Sequence, residues 1–272
     1  MSRKKKQSAA VGLLLVLIAA AAGYGVYTSQ GKPREGGFIV VTWNVRGYPE
    51  KDEAGSQFFH DELVRLNADV VCIQEIANKK DVDEFISRES AYAKSAFADS
   101  SDGQDNAIFA KNDVGLVDMA DPQGFQHLAQ EAYVYRNGFD AVVITVHLSW
   151  TNEAMREQEK ILLRDVVEDA LVKDPDVIVC GDFNTTEAGI QELANSTGMV
   201  VMVPKGQDGV GTTHAGNRYD HFLVSPDLAN EEAVSCRIET FAGQDDRIAT
   251  EVSDHVPVVA YFSADAKYKD RK

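Results

Sequence analysis

Cysteine is scarce in this chain. Three residues among 272 make no disulfide framework. Cys72 and Cys180 sit inside apolar runs and read as small buried hydrophobes. Basic side chains are also short, with 27 Lys/Arg against 43 Asp/Glu and a formal net charge of −16. Residues 1–35 hold six of the basic residues and one of the acids, which leaves 21 basic against 42 acidic side chains in the rest. Such a body repels polyanions at long range. No basic stripe with interleaved aromatics runs through it, so tight processive binding to duplex DNA does not fit this surface. Nucleic acid is not excluded, because a metal-filled cleft can carry positive potential on an acidic body. Nor does a Pro-, Ser- or Gly-rich linker, or a repeat, divide Phe38–Phe262. One domain is the simpler reading, and 44% hydrophobic residues suffice for its core.

The N-terminus is different. Arg3-Lys4-Lys5-Lys6 precedes Ala9–Tyr27, an apolar run without charge. As a helix it would span roughly 28 Å, close to the hydrocarbon thickness of a bilayer. The basic cluster should stay in the cytoplasm and send the C-terminal domain outside. We therefore expect a membrane signal-anchor over residues 1–30, a tether over 31–37, a folded domain over 38–264 and a charged tail over 265–272. A cleaved signal peptide is the alternative, since Ala20-Ala21-Ala22 offers small residues before Gly23.

Apolar runs predict strands at Phe38–Val41, Asp69–Ile73, Ala107–Ala110, Ala132–Tyr135, Ala141–Val146, Asp176–Cys180, His221–Val224 and Val256–Phe262. Helical spacing predicts helices over Ser56–Leu66, with Ser56 as N-cap, over Asp81–Ala96 and over Asn152–Leu171. The last should carry Ile161, Leu162, Val166, Val167 and Ala170 along one side.

What the chain does have is a set of polar motifs, each placed where a strand ends or begins. They are Thr42-Trp43-Asn44-Val45-Arg46, Ile73-Gln74-Glu75, Thr145-Val146-His147-Leu148, Cys180-Gly181-Asp182-Phe183-Asn184, Arg218-Tyr219-Asp220-His221 and Ser253-Asp254-His255-Val256-Pro257. Ligands collect at strand ends in α/β proteins. Two histidines, four acids and two amides converging at one rim suit cleavage of a phosphate ester with a metal. Glu75 ends an apolar strand, and hard oxygen ligands of this kind suit Mg²⁺ or Mn²⁺; no thiolate set for structural zinc is present. Asp182 and Asn184, two residues apart, would share one face if extended. Gly181 before them permits close backbone approach. His147 and His255 titrate near neutral pH and are the acid–base candidates.

In order and flanks these motifs resemble the endonuclease/exonuclease/phosphatase superfamily, which includes deoxyribonuclease I. The resemblance covers Phe38–Phe262. It implies a four-layer α/β sandwich, two packed mixed sheets flanked by helices, where periodicity alone could not separate that from one doubly wound sheet. It implies metal ligation by Glu75 and Asp254, with Asn44 holding the metal shell or a phosphate oxygen. It implies Asp182 and Asn184 acting as base and phosphate donor, and Asp220 paired with His255. His221 stands where several relatives have tyrosine and reads as a packing substitution. The Val-His-Leu context of His147 looks like the deoxyribonuclease I, phosphatase and sphingomyelinase branches. His60, His127 and His214 have no motif around them and belong to surface or loop on this reading. Trp150 could stack a base or pack at the core or rim; Arg46 could reach a phosphate or form a structural ion pair.

Three functions compete. The leading one is a metal-dependent nuclease acting outside the cytoplasm. Phosphomonoesterase or lipid phosphodiesterase activity, of the inositol-phosphate or sphingomyelin type, would use the same core. An inositol-type site wants more Lys/Arg, and a sphingomyelin-type one wants exposed apolar loops, and this chain is poor in both. A catalytically silent scaffold would be expected to have lost motif residues, and all are present.

Overall fold

A strand that is apolar at every position must be covered on both faces. The computed structural model, which describes residues 37–48, 53–100, 102–136, 138–241 and 252–264, places the apolar runs that way. Five strands are central. They are β1 (Phe38–Tyr48), β2 (Val70–Ile76), β7 (Phe139–His147), β8 (Val177–Asp182) and β12 (Val258–Phe262). Around them lie β3 (Lys94–Phe97), β4 (Asp105–Ala110), β5 (Gly115–Ala120), β6 (Gln130–Arg136), β9 (Val200–Val201), β10 (Asp220–Val224) and β11 (Ala233–Ile238). One sheet runs β11-β12-β1-β2-β4-β3, the other β5-β6-β7-β8-β10-β9. Each is mixed, with a parallel pair near its middle: β1 beside β2, and β7 beside β8.

The sheets pack face to face. Phe38 stacks on Phe139 with centroids 4.1 Å apart, and Phe139 meets Phe262 at 5.4 Å. One polar bridge crosses this apolar interior: the Nε2 of buried Gln74 donates to Thr42 Oγ1 (3.1 Å) and to Thr145 Oγ1 of the opposite sheet (2.9 Å). A buried amide without partners would be costly, so these contacts pin the register of the two sheets. Outside the first sheet lie α1 (Glu53–Leu66) and α2 (Lys79–Arg88), which bury Phe59, Leu63 and Phe85. Outside the second lie α3 (Glu153–Lys173) and α4 (Glu187–Thr197), and a short α5 (Pro226–Glu231) precedes β11. The four-layer sandwich is thus the fold.

Several expectations need correction. The helix expected over Asp81–Ala96 stops at Arg88, where the Glu89 N–H closes on Phe85 O. Ala96 lies instead in β3, because pairing with β4 outweighs the local helical preference of an alanine-containing stretch. Ser56 is not an N-cap but lies inside α1, where its hydroxyl accepts from Arg88. On α3, Asn152 caps the N-terminus through Met155 N (3.1 Å), and the buried line is Glu159, Leu163, Val167 and Ala170. Ile161 is 54% exposed. It lies two residues from Leu163, about 200° around the helix. The segment expected to be a signal-anchor lies outside the described residues. Among the described residues no helix is long and apolar enough to cross a membrane.

Candidate active site

Topology brings the motifs to one rim. The parallel strands β1, β2, β7 and β8 deliver Asn44, Glu75, His147 and Asp182 at or near their carboxyl ends. β10 runs antiparallel to β8 and starts with Asp220 opposite Asp182. β12 runs antiparallel to β1, with Val258 opposite Thr42, so the Ser253–Pro257 turn that leads into it arrives at the same edge. The result is a cleft of about 460 Å³ that Asn44, Glu75, His147, Asp182, Asn184 and His255 all line. Asp254 and Arg46 line it too. Asp220 lies beneath it, fully buried.

His255 sits between two carboxylates. Its Nδ1 is 2.8 Å from Asp220 Oδ2 and its Nε2 is 3.6 Å from Asp182 Oδ2. Burial by itself disfavours an imidazolium, but Asp220 and then Asp182 outweigh it and push His255 up to about 10. Burial raises Asp220 to about 6, against the opposing pull of His255. At neutral pH the pair is therefore imidazolium and carboxylate. The ring is fixed further by its backbone. His255 N donates to Ser253 Oγ (3.0 Å), and that hydroxyl donates to Asn44 O (2.7 Å). Trp43 Nε1 donates to His255 O (3.1 Å). In the sequence Ser253 and Trp43 read only as flanks of their motifs; in the fold they tie the Ser-Asp-His turn to β1.

His147 is the opposite case. Its Nε2 is 3.9 Å from both Glu75 Oε1 and Asp182 Oδ2, with the ring almost wholly buried. Burial lowers its pKa, and the attraction of Asp182 does not make up the loss. The two imidazoles of the cleft are thus pushed in opposite directions by their surroundings.

Two side-chain amides of the cleft are placed in detail. Asn44 turns its amide so that Nδ2 donates to Glu75 Oε1 and Asp182 Oδ2, both at 3.1 Å, while its Oδ1 accepts from Arg46 N at 2.9 Å. The amide nitrogen thus orients Glu75 and Asp182, while the oxygen, engaged by one backbone N–H, keeps a second lone pair. Asn184 is not extended: its φ is +47°, and its N–H closes an Asx turn on Asp182 Oδ1 at 2.8 Å. Its side-chain nitrogen donates to Leu148 O at 2.9 Å. Asp182 and Asn184 share the cleft because a turn folds them together, not because a strand alternates. Gly181 answers to close approach, but to the neighbouring strand. A Cβ there would lie 2.0 Å from Val146 O.

Glu75 also has positive φ, +66°, beside a break in the pairing of β2 with β4 between Gln74 and Ile76. Such bulges re-aim a side chain at a sheet end. A divalent ion fits the donor chemistry. Glu75 and Asp254 supply carboxylate oxygens, the ligand type that Mg²⁺ and Mn²⁺ take. Asp182, Asp220 and His255 also lie within 4.8 Å of one another. That buried trio could also hold a metal, through a His255 ring that gives up its proton to do so. Arg46 Nε stands 3.9 Å from Asp254 Oδ1, with both side chains more than half exposed; that contact is worth little to stability.

Of the remaining histidines, His221 packs as expected. Its Nε2 meets Arg218 O at 3.0 Å, and burial pushes it down to about 4. His60 is partly buried on α1 against Glu89 (2.6 Å). His127 is a correction: it is buried, and its ring stacks on His147. Its sequence surroundings carry no signal of this, because the contact joins a loop to the end of β7.

A family model described as Endonuclease/Exonuclease/phosphatase family matches residues 41–255. No curated protein matches the chain. Among solved structures it is similar to D. rerio TDP2 complexed with single-strand DNA product, at TM-score 0.66 and 17% identity over 84% of this chain and 99% of that one. An endonuclease/exonuclease/phosphatase family protein from Bacteroides thetaiotaomicron gives 0.67 and 16%, covering 87% and 98%. A mannosyl-6-phosphatase of the same organism gives 0.63 and 16%, covering 82% and 98%. At these identities the likeness bears on the fold.

Proposed function

The chain belongs to the endonuclease/exonuclease/phosphatase family, a family of phosphoester hydrolases, and from that premise we propose that it cleaves phosphodiester bonds of nucleic acid with Mg²⁺ or Mn²⁺. The observation that carries the reading is the His255 ring, held between Asp220 and Asp182 at the rim that Glu75, Asn44 and His147 share. Asp182 takes a proton from water, whose oxygen attacks phosphorus. The bond from phosphorus to the leaving oxygen breaks, and His255 gives that oxygen its proton. His147, neutral, offers a hydrogen bond to the phosphoryl group without adding a second positive charge. Asn44 keeps Asp182 and Glu75 aligned. A divalent ion held by Glu75 and Asp254 supplies neutralisation of phosphoryl charge when bound.

Two features favour a nucleic acid over other phosphoesters. Among the described residues Arg46 is the single Lys or Arg lining the cleft, which suits one phosphate better than a polyphosphorylated ring. Trp150, 61% exposed, lines the same cleft and offers a flat apolar surface to a base. The similar D. rerio TDP2 is complexed with single-strand DNA product, which is in keeping with this. The purified full-length protein in Mg²⁺ should hydrolyse oligonucleotides in preference to sphingomyelin, inositol phosphates and sugar phosphates. Trp150→Ala should weaken use of the oligonucleotide by about 5- to 100-fold, the worth of one stacked base. Preference for a sugar phosphate, with Trp150→Ala at full activity, would replace this reading by a phosphomonoesterase. The reading also places the domain beyond a membrane, on the strength of residues 1–30 alone. Intact cells should then cleave added oligonucleotide and lose that activity to added protease; activity that appears only on lysis would contradict it.

A further inference from the structure

His127 lies in the loop between β5 and β6 and is 1% exposed. Its ring lies nearly parallel to that of His147, with centroids 4.6 Å apart and planes 20° apart. On one side Nδ1 is 2.8 Å from Asp102 Oδ2, while Nε2 is buried without a partner among the described residues. Asp102 is itself set by its own loop, accepting from Ser100 Oγ and Gln104 N, both at 2.9 Å. Gln104 lines the cleft. A second clamp holds the His127 loop to the segment that follows His147. The buried carboxylate of Glu159 on α3 accepts from Gln126 N through one oxygen and from Ser149 N through the other, each at 2.7 Å. Gln126 precedes His127, and Ser149 follows His147 by two residues.

This much fixed geometry around a ring with no substrate contact of its own calls for a purpose. Rotation about the last side-chain torsion of a histidine is soft, and His147 has no hydrogen-bond partner on Nδ1 among the described residues to stop it. A parallel ring against its face supplies the missing restraint. We propose that His127, held by Asp102, is a positioning residue that keeps the His147 imidazole in its working orientation by stacking. The proposal rests on the reading of His147 as a phosphate-binding group in the cleft. It also makes Asp102, through Gln104, a link between the lip of the cleft and the ring beneath it.

The test compares His127→Leu, which fills the space without a flat ring, with His127→Phe, which restores the ring but not the bond to Asp102. Both are made in the full chain. Stacking and sub-ångström placement together make the expected loss in His127→Leu about 10-fold or more in kcat, with KM unchanged. His127→Phe should recover most of it. A purely structural role would lower thermal stability in both and leave kcat per folded molecule alone. Equal kcat in wild type, His127→Leu and His127→Phe overturns the proposal, as does an equal loss in both variants. Asp102→Asn, at a partly exposed position, carries the same comparison if His127→Leu does not fold. It should lower kcat less than His127→Leu at unchanged KM, and wild-type kcat would count against the proposal. NMR of the resting protein separates this idea from the functional reading. The ring protons of His147 should shift in His127→Leu and stay near their wild-type positions in His127→Phe, whether or not any phosphoester is hydrolysed. Unmoved signals in His127→Leu would sink the positioning role, whereas a wild-type protein inert on every phosphoester would sink only the proposed function.

Discussion

Asp182→Asn should turn over the best substrate about 10²–10⁴-fold more slowly than the natural chain, the usual worth of a positioned proton-transfer group. The substitution is nearly isosteric, so shape is not what is lost. One oxygen of Asp182 accepts from Asn184 N and the other from Asn44 Nδ2, while His255 Nε2 stands 3.6 Å away. An amide in that place cannot take a proton from water. Either orientation also sets an NH₂ against a donor, at a cost of about 1–3 kcal/mol in stability. His255→Gln should lose activity on the same scale, because the amide can still meet Asp220 but carries no proton to give. Deleting the ring with His255→Ala would do more damage to folding, since Asp220 would then be buried without its cation. Asp220→Asn should resemble a milder His255 variant, with the ring present but less firmly charged. Steady-state rates on proteins with unchanged far-ultraviolet spectra check all three. Wild-type rates in Asp182→Asn and His255→Gln would remove the proton-transfer scheme at its centre.

Metal removal is the second large effect. Dialysis against EDTA should abolish turnover, and Mg²⁺ or Mn²⁺ should restore it. Glu75→Gln in saturating Mg²⁺ should fall by about 10²–10³-fold, since transition-state charge stabilisation of several kcal/mol is at stake and each 1.36 kcal/mol is tenfold. The fold should survive both treatments. Glu75 is held by Asn44 without an ion, and the core lies between the sheets, away from the rim. Asn44→Ala should cost less than Glu75→Gln and should be partly rescued by raised Mg²⁺, because it releases the carboxylate without deleting it. Full activity after exhaustive chelation would exclude the ion from the reaction.

The parts of this fold that can be read from sequence are those fixed by local pattern. Continuous apolar runs mark the central strands, and polar residues at their ends mark Asn44, Glu75, His147 and Asp182. The edges are less legible. β3, β5, β9 and β11 are short or half-exposed, so partners elsewhere in the chain decide their form. Within the cleft, residue identity is readable but orientation is not. Nothing local says that Asn44 points its nitrogen at two carboxylates, that Asn184 takes a left-handed backbone, or that His127 crosses from a loop to cover His147. Those depend on which strands lie side by side.

The proposed reaction depends on His255 entering it already charged while His147 does not. Its pKa, raised to about 10 by Asp220 and Asp182, keeps the imidazolium through neutral pH and loses it only as pH climbs towards that value. The lowered pKa of His147 keeps that ring neutral at the same pH. Ring-nitrogen ¹⁵N shifts of the metal-free protein at pH 7.5 read both states at once. Two protonated nitrogens on His255 and one on His147 are the expected result. A neutral His255 at that pH would contradict the account, because the group assigned to protonate the leaving oxygen would have no proton to spare.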